Sequence, residues 1–289
     1  MDILKAIILG IVEGLTEFLP VSSTGHLILA ERVLGLDGDQ APWSILLWVS
    51  QFAAILAVIL YFWRDLWRRI VDPLAVLWRR RRGHAVGGGP GPQSLAAIVR
   101  DNLLTKLVVA MIPTVILAVL LKKRLDVLET MPLAVAGALI VGAVIMEFID
   151  RRCRRQMPQD LSHITLPQAF LIGLIQCVSM WPGVSRAAAT IMGGMCLGLT
   201  PRVATEFSFY LAIPTMLGAT VYTLKKHWHE LGGANLGLLF VGSAAAFLMA
   251  LLVVATFLGY VRRYRFTPFV VYRVLLGALV LICYFAARG

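Results

Sequence analysis

Cysteine is scarce in this sequence, and its spacing excludes the common cysteine-based sites. Four cysteines are spread over 289 residues, and none has the CxxC spacing of a zinc ribbon or a redox motif. Three of them fall in apolar segments, where cysteine usually acts as a small packing residue. We therefore expect neither disulfide bonds nor a zinc site. The four are Cys153, Cys177, Cys196 and Cys283.

Charge is scarce as well, which excludes a soluble globule. Charged residues make up 15% of the chain and hydrophobic residues 59%, and the mean hydropathy is +0.80. This balance predicts a polytopic membrane protein. The net charge is +11, but clustered arginines are typical of cytoplasmic loops. Because no motif with interleaved aromatics accompanies them, we expect no nucleic-acid partner. No small-x-small cleavage site follows the first apolar run, so we expect no removed signal peptide.

The first apolar segment, 3–34, is interrupted by polar residues. Glu13 and Glu17 are four residues apart, which places both carboxylates on one helix face. Pro20 then ends the helix, and the hydroxyl residues after it are suitable N-caps for a second helix starting near 25–26. An ionisable group inside a bilayer costs at least about 2.5 kcal/mol, which favours a functional broken hairpin over snorkelling glutamates beside an ordinary cap. The polar residues after the break are Ser22, Ser23, Thr24 and His26.

Six further apolar segments are long enough to span a membrane. A second interrupted segment, 166–199, lies between the third and the fourth of them. Residues 83–98 are rich in glycine and proline and are expected to form a flexible cytoplasmic loop. The predicted fold is a single all-α polytopic membrane domain with six transmembrane helices and two re-entrant broken-helix hairpins. The predicted spans are 43–63, 103–121, 133–149, 203–224, 236–259 and 269–287.

The two interrupted segments resemble each other, which predicts an internal repeat. Residues 10, 13 and 17 align with 173, 176 and 180, and a one-residue gap then pairs Ser23 with Ser185. Repeat one (1–150) and repeat two (166–289) each hold one hairpin and three spans, so the second is expected to be inverted relative to the first.

The arginine-rich segments indicate the orientation of the chain. With 64–102, 150–165 and 260–268 on the cytoplasmic side, both hairpins must be re-entrant. Lys106 and Arg273 lie near the starts of their spans, where snorkelling to the interface is the expected role.

The second break, WPGVSRAAAT (181–190), has the features of a phosphate site. Ser185 is placed to cap the following helix, and Arg186 projects from its first turn; exposed N–H groups beside a guanidinium suit an anion. Two facing helix N-termini, one from each hairpin, would suit a diphosphate, with Glu13 and Glu17 holding a divalent cation on its oxygens. Taken alone, this motif also fits a capped helix whose arginine reaches a lipid headgroup.

Three motifs together resemble the undecaprenyl-diphosphate phosphatases of the bacitracin-resistance type, over nearly the entire chain. They are EGLTEFLPVSSTGH (13–26), PGVSR with a threonine four residues beyond the arginine (182–190), and EFSFYLAIPTM (206–216). The resemblance implies an integral enzyme of the bacterial inner membrane that needs Mg²⁺ or Ca²⁺. Such an enzyme hydrolyses undecaprenyl diphosphate to the monophosphate, which recycles the lipid carrier of cell-wall synthesis and confers bacitracin resistance. We expect a periplasm-facing site, lateral access for the prenyl tail, and an oligomeric state left open, with a homodimer as one option.

The resemblance also assigns roles to residues of both hairpins. One departure is Ala187, where the family commonly has serine, so this position is not expected to be essential. The expected catalytic residues are Glu17, Ser23, His26 and Arg186; the expected substrate-binding residues are Ser22, Thr24, Ser185, Arg186 and Thr190; the expected metal ligands are Glu13 and Glu17.

Several mechanistic alternatives stay open at this point. Ser23 is the expected nucleophile, activated by Glu17 or His26, and its rival is direct attack by water with Ser23 as a hydrogen-bond donor only. His26 has a second interpretation as a structural donor to the loop. The whole chain has one too, as an ion-coupled transporter or flippase of a polyprenyl phosphate, because inverted repeats with broken helices are typical of secondary transporters.

Overall fold

A computed structural model describes residues 2–36, 42–81, 99–128, 132–155, 160–227, 229 and 235–286. Within these ranges the protein is helical and has no strand, and six helices are long and apolar enough to cross a membrane. The predicted all-α membrane fold is therefore confirmed. The loop expected at 83–98 lies outside the described residues.

The helices are α1 Asp2–Thr16, α2 Ser23–Leu34, α3 Trp43–Tyr61, α4 Trp63–Leu66, α5 Asp72–Arg81, α6 Leu103–Leu128, α7 Pro132–Arg152, α8 Leu166–Gln176, α9 Arg186–Cys196, α10 Pro201–Lys226, α11 Leu236–Arg263 and α12 Thr267–Ala286. The six spans correspond to α3, α6, α7, α10, α11 and α12, and each begins within two residues of its predicted start. A π-helical turn, Trp67–Val71, joins α4 to α5, and short 3₁₀ turns flank α8 at Leu161–His163 and Cys177–Met180.

Both predicted hairpins are broken helices, and the two breaks end in the same way. The first separates α1 from α2, and the second separates α8 from α9. Ser22 (φ 73°) and Ser185 (φ 74°) are the non-glycine residues with positive φ in the described part of the chain. Each serine caps its helix by accepting from the backbone N–H three residues on, at Gly25 and Ala188. Helix α2 thus begins at Ser23, slightly earlier than the predicted start near 25–26.

This shared geometry corrects the predicted alignment of the two hairpins. Ser22, and not Ser23, is the counterpart of Ser185, and these two are 163 residues apart, as are Gly10 and Gly173. The one-residue gap is therefore wrong. In the corrected register Ser23 pairs with Arg186, and each is the first residue of its helix.

The first helix of each hairpin packs closely against a span of the other half of the chain. A Cβ at Gly10 of α1 would lie 2.1 Å from the carbonyl oxygen of Gly242 in α11. A Cβ at Gly173 of α8 would lie 1.8 Å from the carbonyl oxygen of Ala110 in α6. Only glycine permits such backbone contact, so corresponding glycines position the two hairpins in a reciprocal manner.

The two basic residues expected to snorkel are instead buried. Lys106 is 2% exposed, and its Nζ donates to the carbonyl oxygens of Leu161 and Ser162 at 3.1 and 3.0 Å. Arg273 is 0% exposed, and within the described residues it donates only to carbonyl oxygens. Both predictions were wrong because broken and irregular backbone supplies acceptors inside the protein, which the sequence pattern of a span does not reveal.

Candidate active site

The centre of the site is a contact between Glu17 and Ser23 across the first break. Glu17 follows the last residue of α1, Ser23 opens α2, and the turn between them brings the two side chains together. The Ser23 hydroxyl donates to Glu17 Oε2 at 2.7 Å, and Glu17 is only 9% exposed. A carboxylate at this distance is in position to accept the hydroxyl proton. Of the two groups considered as its base, Glu17 is the one that the Ser23 hydroxyl contacts.

Arg186 reaches the same carboxylate from the second hairpin. Its Nη2 lies 3.5 Å from Glu17 Oε1 and 3.4 Å from the Glu17 carbonyl oxygen, while Nη1 donates to the carbonyl oxygen of Ser208 at 3.2 Å. The guanidinium carbon lies 5.7 Å from the ring centre of Phe18. Arg186 Nε is buried without a hydrogen-bond partner in the described part of the chain. The cation is thus held in place with donor capacity left for an anion.

Glu13 lies one helical turn before Glu17 and is almost completely buried. It is 2% exposed, and its Oε2 has no hydrogen-bond partner among the described residues. Its counterpart in the second hairpin is Gln176, whose Nε2 donates to the Thr114 hydroxyl at 2.9 Å. A buried carboxylate oxygen without a partner is costly, and carboxylate oxygens are the ligands that Mg²⁺ and Ca²⁺ prefer.

These two carboxylates fit a cation that takes its other ligands from substrate or water. No group of three or more His, Cys, Asp or Glu side chains that could hold a metal occurs in the part of the chain described. Mg²⁺ in particular is usually held by one or two carboxylates together with phosphate oxygens and water. The donor set is therefore suited to a cation that accompanies a phosphorylated substrate.

His26 faces away from the Glu17–Ser23 contact. Its Nδ1 lies 2.7 Å from the Ser22 carbonyl oxygen, which can only accept, so Nδ1 carries a proton. Its Nε2 lies 2.6 Å from the Tyr272 hydroxyl, and the two rings are parallel within 8°. With both nitrogens engaged elsewhere, the geometry favours the structural alternative for His26, in which it holds the break in shape.

The remaining predicted residues support the two helix N-termini. Ser185 Oγ accepts from the Ala188 N–H at 3.2 Å and donates to the Leu19 carbonyl oxygen at 3.5 Å, which connects the two breaks. Thr190 is 1% exposed, and its hydroxyl lies 2.6 Å from Ser208 Oγ. Because the Ser208 carbonyl oxygen accepts from Arg186, Thr190 is linked to Arg186 through Ser208. Thr24 is exposed. Of the predicted substrate-binding hydroxyls, only that of Thr24 is openly accessible to a ligand.

The comparisons agree with the motifs. The sequence profile described as "Bacitracin resistance protein BacA" matches residues 6–279. An undecaprenyl-diphosphatase of Novosphingobium aromaticivorans is 44% identical over 286 residues, which cover 96% of this chain and 97% of the relative. An undecaprenyl-diphosphatase of Rhizorhabdus wittichii is 40% identical over 282 residues, which cover 98% and 97%. The chain belongs to the BacA family.

In this BacA-family chain, sequence reasoning missed three residues around the site. Tyr272 and Arg273 are adjacent on α12, where the first bonds His26 and the second bonds both breaks. Ser208 lies within the quoted motif EFSFYLAIPTM and bonds both Arg186, through its carbonyl oxygen, and Thr190, through its hydroxyl. The available signal was Arg273 itself, an arginine within an apolar span. Because a charged side chain inside a membrane is costly, its position indicates burial in the protein interior.

Proposed function

We propose that this BacA-family chain is an undecaprenyl-diphosphatase, an integral membrane hydrolase. It releases inorganic phosphate from undecaprenyl diphosphate and returns the monophosphate as lipid carrier for cell-wall synthesis, which confers bacitracin resistance. The observation that carries the proposal is a single carboxylate, Glu17, that accepts from the Ser23 hydroxyl and lies beside Arg186. A nucleophile, its base and an anion-binding cation thus meet between two helix N-termini.

In the proposed reaction Ser23 attacks the terminal phosphorus. Its proton passes to Glu17 Oε2, 2.7 Å away, as the bond from Oγ to phosphorus forms. The bond between that phosphorus and the bridging oxygen breaks, and the lipid monophosphate leaves with the electron pair. Water then attacks the phosphorus of the phosphoserine, and the bond from phosphorus to Ser23 Oγ breaks. Glu17 returns its proton to Oγ, and inorganic phosphate leaves with the oxygen and the protons of the water. Arg186 and the backbone N–H groups at the starts of α2 and α9 stabilise the charge on the phosphate oxygens.

A divalent cation belongs to the same proposal. Glu13 and Glu17 would hold Mg²⁺ or Ca²⁺, and the cation would neutralise part of the diphosphate charge. The unpartnered Glu13 Oε2 supports this assignment. Glu13 itself contributes a buried carboxylate in a region where a charge without a counter-ion is strongly disfavoured.

We also infer an inverted repeat with re-entrant hairpins in the bacterial inner membrane. The first hairpin begins and ends on the same side of the molecule, because Ala6 of α1 and Leu34 of α2 belong to one apolar cluster. At the other end of the molecule, Arg154 donates to the carbonyl oxygens of Val261 and Tyr264, which brings two arginine-rich segments together. If this basic end is cytoplasmic, the first hairpin opens toward the periplasm.

The prenyl tail is proposed to lie in an apolar groove beside the second break. The groove has a volume of about 330 Å³, lies between α7, α8 and α9, and is lined only by apolar side chains, glycine and a cysteine. It begins at Val184 in the break and includes Ala188 and Ala189 of the helix that carries Arg186. Val141, 58% exposed, places the groove at the outer surface of the bundle, which supports lateral access.

The test is phosphate release from a long-chain prenyl diphosphate by the purified protein, with and without chelator. We expect metal-dependent release that falls about 10²–10⁴-fold in Glu17→Gln and about 10²–10³-fold in Arg186→Ala. Glu147→Gln and Arg152→Ala serve as matched controls, because both residues lie on α7 outside the site. Their activity should remain near that of the wild type.

Two outcomes would change the proposal. A folded wild-type protein that moves a polyprenyl phosphate with an ion and releases no phosphate would establish the transporter instead. Rapid quenching with labelled substrate, with Ser23→Ala as control, separates the two hydrolytic routes. If no phosphoserine forms under any quench condition, water attacks directly and Ser23 only donates a hydrogen bond.

A further inference from the structure

Arg273 connects the two breaks of the structure, although it lies on neither hairpin. It projects from α12 and is 0% exposed. All five of its N–H donors have carbonyl acceptors, at distances of 3.1–3.3 Å. The acceptors are Pro20 in the first break, Gly183 and Val184 in the second break, and Ala138 and Leu139 in α7.

The acceptors explain why a cation is tolerated at this position. Carbonyl groups in a helix break have no intrahelical donor and need a partner when they are buried. A guanidinium offers five donors in a fixed planar arrangement, so it can serve several such groups at once. No ion pair of Arg273 occurs in the described part of the chain. Its contacts are therefore suited to holding backbone segments at a defined distance.

Contacts across the breaks depend on this distance. Arg186 of the second hairpin reaches Glu17 of the first at 3.5 Å, and Ser185 reaches the Leu19 carbonyl oxygen at 3.5 Å. Arg273 Nη1 donates to both Pro20 and Val184, at 3.1 Å each, so one nitrogen joins the two breaks directly. A change in the position of the guanidinium would move the two helix N-termini relative to each other.

We infer that Arg273 is a positioning residue that sets the spacing between the two anion-binding helix N-termini and thereby selects a diphosphate over a monophosphate. The inference rests on the proposed function, because it assigns one phosphate group to each N-terminus. A diphosphate must contact both N-termini, whereas a monophosphate contacts one. Loss of the correct spacing therefore weakens diphosphate binding while monophosphate binding is retained.

Gly142 provides a substitution that disturbs Arg273 without removing it. A Cβ built at Gly142 would lie 2.4 Å from Arg273 Nη2, so alanine there must displace the guanidinium. Gly137 is on the same helix and has nothing within 4 Å of its built Cβ. Gly142→Ala and Gly137→Ala therefore form a matched pair. Arg273→Lys is a second variant, which keeps the charge and reduces the number of donors.

The experiment measures binding of a non-hydrolysable prenyl methylenediphosphonate and of a prenyl monophosphate, together with phosphate release. In Gly142→Ala we expect diphosphonate affinity and kcat/KM to fall about 10–100-fold, as a displacement of about 1 Å can cause. Gly142 also lines the apolar groove assigned to the prenyl tail, but both ligands carry the same tail. A lower ratio of diphosphonate to monophosphate affinity, with the folded fraction near the wild-type level, therefore reports the headgroup spacing. Gly137→Ala should match the wild type, and Arg273→Lys should show the same selective loss as Gly142→Ala.

An unchanged ratio of the two affinities in both Gly142→Ala and Arg273→Lys would overturn the inference. This holds whether both affinities stay at wild-type values or both fall equally with the amount of folded protein, as a purely structural role predicts. Failure of the proposed function is distinguishable, because a wild type that releases no phosphate still reports the ratio of affinities.

Discussion

Glu17 makes contacts with both hairpins through the two oxygens of one carboxylate. Oε2 accepts from Ser23, and Oε1 lies beside Arg186. One carboxylate therefore contacts a hydroxyl of the first hairpin and a guanidinium of the second. His26 has the chemistry of a base, but its nitrogens are directed to Ser22 and Tyr272.

A second ion pair at the residue scale permits a prediction on pH. Arg69 donates to both carboxylate oxygens of Asp160 at 2.8 and 3.2 Å, outside the membrane-spanning helices. These hydrogen bonds lower the pKa of Asp160 from its ordinary 3.8 to about 2. Because the folded-state pKa is depressed, the pair stabilises the fold above pH 3.8, and this stabilisation is lost as the pH falls through about 2.

We expect Asp160→Asn to lower the melting temperature at pH 7 and to lose this effect near pH 2. The Asp160 side chain is 49% exposed, so solvent screening limits the pair to about 0–1 kcal/mol, which corresponds to at most about 3 °C. Melting curves of both proteins across this pH range give the difference. Arg69→Gln should behave in the same way, and a difference that does not change with pH would contradict the assignment.

The helices α2 and α9, which carry the candidate site, are short and begin at serine caps, and different faces of α9 make different contacts. On α9, Arg186 and Thr190 face α10 through Ser208, whereas Ala189 and Met192 line the apolar groove against α7. Positions three and four residues apart share a helix face, so in the proposed function one face of α9 serves the headgroup and another serves the tail.

The groove gives a prediction at the element scale. Val141 lines the groove and Val144 does not, although both are on α7 and exposed (58% and 63%). Val141→Trp should raise KM for a long-chain prenyl diphosphate about tenfold, because it fills space assigned to the tail. A short-chain prenyl diphosphate should be unaffected, and Val144→Trp should match the wild type with both. Equal kinetics of the two tryptophan variants would exclude this groove as the tail site.

At the scale of the whole molecule, the first helix of each hairpin packs against a span from the other half of the chain. The close backbone approaches are Gly10 to Gly242 and Gly173 to Ala110. Arg273, on the last helix, then joins both breaks. The site is therefore assembled from both halves of the chain, and neither half contains it alone.

Orientation gives the prediction at this scale. In a background without native cysteines, Thr24→Cys should react with a membrane-impermeant thiol reagent added from the periplasmic side. Ser162→Cys, at the basic end, should react only after the cytoplasmic side is opened. Both positions are exposed in the structure, so both are suited to labelling. Labelling of Thr24→Cys from the cytoplasmic side alone would reverse the proposed orientation.

The sequence by itself determined the class of fold and the spans, and it pointed to most residues of the candidate site. Membrane helices are recognisable in a sequence because about 20 apolar residues are needed to cross a bilayer. Polar groups that are costly in a membrane, such as Glu13, Glu17 and Arg186, are then easily identified within the apolar segments. The serine caps were also predictable, since the preference for serine at a helix start is local. Local chemistry therefore carried these predictions.

Only the tertiary structure decided which groups meet. It selected Glu17 over His26 as the partner of Ser23, because the direction of each side chain depends on how the break folds. It corrected the register of the two hairpins through the φ angles of Ser22 and Ser185. It also placed Arg273 in the interior, because its five acceptors come from segments distant in the sequence. Such contacts are non-local, and a one-dimensional pattern of residues does not encode the distances between them.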